Sequence, residues 1–143
     1  MASLDVLLRA SQANNAGSGQ ILHEMTPQGV VYHPGNVQET AHYLMLVGQV
    51  YHTTGNLTWA LSHLTGMRQG VQYLQVRDTD GNGIPEGTGI MEIGSFYLPS
   101  IEMIDVAVYS LQAFRAVGEV YRELAAAASP SGGGVAKAEL EFV

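Results

Sequence analysis

Apolar residues return at helical spacing along four stretches of the chain, separated by polar, glycine- or proline-rich sequence. Leu4, Leu7 and Leu8 predict a first helix over residues 4–12, which the run from Asn14 and Asn15 to Gly19 breaks. Residues 21–36 lose this period, and their prolines, tyrosines and valines favour short extended pieces. A second helix is predicted over 37–53, with Asn36 as N-cap and Glu39 as the other half of a capping box. Its Tyr43, Leu44, Met45, Leu46, Val47, Val50 and Tyr51 surround most of the circumference, so burial on nearly all sides is expected. After the turn Thr54, Gly55 and Asn56, a third helix over 57–76 carries a single stripe of Leu57, Leu61, Leu64, Val71 and Leu74. That pattern suits an outer layer. A fourth helix over 101–127 has Met103, Val106, Ala107, Phe114, Val117, Val120 and Leu124 on its main apolar side. Ile104, Val108 and Leu111 widen that side, so this helix too is expected to be buried on most of its surface.

The fold class that follows is all-α: antiparallel helical hairpins in the order inner helix, tight turn, outer helix, long loop, inner helix, with short extended segments in the loops. Residues 1–128 form this domain, 129–134 (SPSGGG) read as a flexible linker, and 135–143 (VAKAELEFV) alternate as a strand would. Antiparallel packing through the short turn puts the N-terminal ends of the second and fourth helices together. The loops 17–36 and 77–100 then gather at that end, where helix N-termini are positive, and a site is expected there.

Composition changes this picture in two ways. Hydrophobic residues make up 46% of the chain and charged residues only 13%, which suggests apolar faces covered by a partner. The formal charge of −7, with six scattered bases, argues against a nucleic-acid partner. No run approaches the about 18 apolar residues of a membrane span, and the absence of cysteine excludes disulfide and thiolate chemistry. The first residues lack a basic leader and a long apolar core, so a soluble, cytoplasmic protein is the expectation.

The acidic residues concentrate. Between Arg77 and Asp105 lie Asp78, Asp80, Glu86, Glu92 and Glu102, with Arg77 the sole base. On the EF-hand spacing, Asp78, Asp80 and Asn82 occupy alternate ligand positions, Gly83 the tight turn, Ile84 the carbonyl position and Glu86 the ninth. The twelfth position is Gly89 instead of the bidentate glutamate. Asp78, Asp80, Asn82, Ile84 and Glu86 are therefore the metal candidates, with calcium as the ion, and the alternative is an acidic turn held by Asx hydrogen bonds.

The sequence DTDGNGIPEG at 78–87 resembles the calcium-type loop of the six-hairpin toroid glycosidases, the (α/α)6-barrel superfamily of glucoamylases, glycogen-debranching glucosidases and bile-acid-type β-glucosidases. IDVAVYSLQAFRAVGEVYREL at 104–124 resembles the inner helix that follows it, and HEMTPQGVVYHPGNVQET at 23–40 and TGN at 54–56 also fit. The resemblance spans residues 11–124. It implies a glycoside hydrolase-like, carbohydrate-active module and a fold that is part of an (α/α)6 toroid. Only about four helices are predicted here, so one chain would be a partial barrel. Either the chain is a fragment, or copies associate into a homo-oligomer that covers the exposed inner-helix faces.

Glycosidases flank the scissile bond with two carboxylates about 5 to 10 Å apart. By resemblance Glu92 occupies the stretch where several of these families place an acid, and Asp105 and Glu102 are candidates for the second carboxylate. For Glu102 and Asp105, which open a helix, the competing reading is capping and dipole complementation, and Glu39 shares it. His23, Glu24, Tyr32, Asn36, Gln38 and Glu39 are the candidate substrate contacts. The five histidines contain no i,i+4 pair, which argues against a zinc-protease site. Trp59, on the outer helix near Gly55, reads as core. The contrasting class is a non-catalytic helical module that binds calcium or carbohydrate, or serves as an oligomerisation unit.

Overall fold

The computed structural model describes residues 1–89 and 101–128; Glu92, the linker 129–134 and the tail 135–143 lie outside them. The described residues form five helices and one two-stranded sheet. The order is α1 (Ala2–Asn14), β1 (Glu24–Met25), β2 (Val31–His33), α2 (Val37–Thr54), α3 (Leu57–Ser62), α4 (Leu64–Val76) and α5 (Ile104–Ala128). The all-α class with short extended loop segments is what the chain adopts.

Helix α1 buries Leu4, Leu8 and Ser11. Ser11 sits on an apolar stripe without penalty because its hydroxyl donates to Leu7 O (2.7 Å) and accepts from Leu22 N (3.0 Å). The following loop turns at Gly19, whose absent side chain lets the backbone lie against Gln69 of α4. The antiparallel pair β1–β2 closes over a turn at Gly29 (φ +84°), with Thr26 N donating to Val30 O at 2.9 Å.

The capping box of α2 forms as expected, with Asn36 N donating to Glu39 Oε2 at 2.7 Å. The helix ends at Gly55 in the left-handed conformation (φ +61°), as a C-terminal glycine permits. Tyr43, Leu44, Val47 and Tyr51 are buried at its centre, while Leu46 remains 44% exposed.

Three expectations need correction. The third helix is not continuous: α3 and α4 are separated at His63 (φ −95°, ψ 0°), whose ring is fixed between α1 and α2. The apolar stripe continues through the break because Met67 N still reaches His63 O at 2.8 Å. The fourth helix starts at Ile104, not 101, because the Ile101 carbonyl accepts from Gly87 N (2.9 Å) and serves the loop. Finally, α5 is not buried on most sides. Ile104 is 81% exposed, and Val108 and Leu111 are about half exposed.

The core lies mainly between α2 and α5, with α4 behind it. His42 packs edge-on to Tyr109, Gly48 faces Ala116, and His52 hydrogen-bonds Glu119. These pairs advance in the same direction along both helices, so α2 and α5 are parallel. Their N-terminal ends therefore lie together, and the Gly55 turn lies at the far end. The closest approach is at Gly48, where an added Cβ would stand 2.7 Å from the Ala116 Cβ.

Candidate functional site

The residues Pro85 to Thr88, with Gly89, are all buried, unlike the exposed Asp80 to Gly83 before them. They are wedged between the two helix starts. Val37 N, at the start of α2, donates to Thr88 O (3.1 Å), and Gly89 packs so closely on the Asp105 carboxylate that no Cβ would fit. Gly87 (φ +132°) is needed for the same reason, since a Cβ there would fall 2.5 Å from Val37 Cγ2. Gln20 and Gly35 of the first long loop line a small cleft with Val37, Gly87 and Thr88. Both long loops thus meet at the paired N-termini.

Of the substrate-contact candidates, His23, Asn36 and Glu39 form one cluster. Glu39 is 9% exposed; its carboxylate accepts from His23 Nδ1–H at 2.6 Å and from Asn36 N. These hydrogen bonds are charge-assisted and fasten the hairpin to α2. Glu24 stands 3.5 Å from His23 Nε2 at the surface, and the His33 ring meets His23 edge-on at 5.2 Å. Gln38 is buried (5% exposed) and its Oε1 has no hydrogen-bond partner. Tyr32 stands apart on the hairpin, 80% exposed.

Of the carboxylate candidates, Asp105 lies in the first turn of α5, where Oδ1 accepts from Val106 N at 3.0 Å and the helix dipole favours its charge. Glu102 is exposed and accepts from Asn82 Nδ2 at 2.5 Å, tying the acidic loop to the start of α5. Glu92 lies outside the described residues.

The metal candidates do not converge. Asp78 Oδ2 accepts from Gly83 N (2.9 Å), the Asp80 carboxylate from Asn82 N and Nδ2 (both 3.1 Å), and Asn82 Oδ1 from Ile84 N (2.8 Å). Glu86 turns inward and accepts from the Thr79 hydroxyl. Among the described residues no group of three or more acidic or histidine side chains is arranged to hold a metal. In this arrangement the loop is an Asx-bonded turn, and Asp78 Oδ1 is buried in it without a hydrogen-bond partner.

One network joins residues too distant in sequence for any spacing rule to pair. His63, 1% exposed, donates from Nε2 to Asp5 Oδ1 (2.7 Å) and accepts at Nδ1 from Tyr43 OH (2.8 Å). This tautomer is the one in which every group is satisfied. Trp59 Nε1 donates to the same Asp5 oxygen at 2.9 Å. The His63 and Trp59 hydrogen bonds hold the Asp5 carboxyl below the usual carboxylate range, and burial pushes the Tyr43 phenol up. These hydrogen bonds lock α1 onto α2 and α3. Trp59 is core, as its sequence context suggests.

Among the described residues no helix is long and apolar enough to cross a membrane. Compared with protein-family models, with curated proteins and with solved structures, the chain matches none.

Proposed function

We propose that the chain is a carbohydrate-active module of the six-hairpin glycosidase type, a partial toroid that acts only when copies of it cover the exposed inner-helix face. The observation that carries this reading is the parallel pairing of α2 and α5, which brings Glu39, Asp105, Glu102 and the buried Pro85–Gly89 wedge to one end. Positive helix ends and carboxylates gathered at one end suit the recognition of neutral polyols, whose hydroxyls both donate and accept. Glu92 is the proposed acid, carried over from the resemblance of its position, and Asp105 or Glu102 the second carboxylate. The solvent-facing stripe of Ile104, Val108 and Leu111 supports association of copies, because a single chain leaves it in water.

A second reading, a non-catalytic helical module that binds carbohydrate or serves as an oligomerisation unit, is favoured by one observation. The Glu39 and Glu86 carboxylates are spent on structural hydrogen bonds.

Hydrolysis of a broad aryl-glycoside panel separates the two. The first reading expects activity that Glu92→Gln abolishes without lowering thermal stability, in a sample that light scattering shows to be oligomeric. Inactivity of the oligomer across the panel leaves the second reading. A monomer by light scattering counts against the proposed association.

A further inference from the structure

Between α4 and α5 lies a cavity of about 260 Å³ walled by Val71, Phe114 and Val117 and bordered by Arg68, Gly118 and Tyr121. Two polar side chains meet at its edge. Tyr121 is 7% exposed and its hydroxyl lies against the half-buried Arg68 guanidinium, whose buried Nε has no hydrogen-bond partner among the described residues. Buried donors of this kind are ordinarily satisfied, by protein, water or ligand. Burial raises the Tyr121 hydroxyl while the hydrogen bond and charge of the neighbouring Arg68 guanidinium act in the opposite sense, and both residues line the cavity.

Charge adds a second constraint. In a chain of net charge −7, Arg68 forms no ion pair among the described residues. Glycine adds a third. Gly118 stands within the helix α5 against its poor helix propensity, yet a Cβ there would meet nothing within 4 Å. Close packing explains Gly48, which faces Ala116, but nothing is packed on Gly118. Its lack of a side chain leaves the cavity open.

We propose that this cavity binds a small amphipathic carboxylate. The apolar tail lies among Val71, Phe114 and Val117, and the carboxylate accepts the hydrogen bond that Arg68 Nε leaves unmade, beside the Tyr121 hydroxyl. An acceptor-only anion matches a guanidinium and a phenol, both of which donate, and an apolar tail matches the walls. The site is separate from the paired helix N-termini and does not depend on the carbohydrate reading.

Isothermal titration of the full chain with octanoate, octylamine and octanol tests it. Octanoate is expected to bind saturably at one site, and octylamine not to bind. Arg68→Met should weaken octanoate about tenfold or more, the loss of a charged hydrogen bond, and leave octanol unchanged. Gly118→Leu should abolish binding while the far-ultraviolet circular dichroism stays helical. If that variant loses its helical signal, Gly118→Ala should still weaken octanoate about threefold by taking space from the tail. No binding at millimolar octanoate overturns the proposal, as does equal binding of octylamine or an Arg68→Met affinity equal to the parent's. A dimer that Gly118→Leu dissociates would assign the cavity to a second copy and also overturn it.

Discussion

Two glycine-to-alanine substitutions, each in a long helix, should move stability in opposite directions. At Gly48 the new Cβ would stand 2.7 Å from Ala116 Cβ and 3.4 Å from its Cα. Carbon atoms settle at about 3.5–4.0 Å, so α2 and α5 must part by about 1 Å along their main interface. Overpacking of this kind costs about 1–3 kcal/mol, and alanine's better helix propensity returns about 1 kcal/mol. Gly48→Ala should therefore destabilise by about 1 kcal/mol, and by as much as about 2. Gly118→Ala meets nothing within 4 Å and keeps only the propensity gain, about 1 kcal/mol of stabilisation. The double variant Gly48→Ala with Ala116→Gly exchanges the methyl across the interface and should return close to the parent. Urea unfolding followed by circular dichroism measures all three, and each kcal/mol corresponds to about 3 °C in Tm. Equal stability of Gly48→Ala and Gly118→Ala would refute the close parallel crossing of α2 and α5.

Tyr43→Phe removes the donor to His63 Nδ1 in a dry site, and should cost about 1–3 kcal/mol in the same unfolding assay; an unchanged midpoint would contradict the network. Asp5 has a folded pKa below its unfolded value, so its contribution is present above about pH 3.9 and is lost as pH falls through the folded value. Asp5→Asn should flatten that acid limb of a stability-versus-pH profile, and a limb of the same slope would exclude Asp5 as its source. Because the Asp80 carboxylate, Asn82 Oδ1 and one oxygen of Asp78 are engaged in turn hydrogen bonds, calcium or chelator should leave Tm unchanged. A calcium-dependent rise would show that the loop reorganises around the ion, since a ligand of the native state stabilises it.

The capping box at Asn36 and Glu39, the stop at Gly55 and the helical class were legible because each depends on neighbours in sequence. The shared end of α2 and α5 was legible too, since a tight turn and an antiparallel hairpin leave little freedom in where the next inner helix begins. The interruption at His63 was not. Its cause is a ring held by Asp5, 58 residues earlier, and Tyr43, 20 residues earlier, and no local pattern marks such a contact. The exposure of Ile104, Val108 and Leu111 was misread because periodicity shows which residues are apolar, not whether another element covers them. The acidic loop was legible in position but not in chemistry. Alternating Asp and Asn serve a cation and an Asx-bonded turn equally well, and only the direction of each oxygen distinguishes them. Gly118 is a mid-helix glycine whose meaning, space instead of contact, appears only once its neighbours are placed.

Amide chemical-shift mapping with a malto-oligosaccharide tests the functional account most directly. The account predicts saturable shifts confined to the paired helix starts, at residues 36–39, 86–89 and 101–106. Shifts clustered instead around the Gly55 turn, or none at saturating sugar, would contradict it.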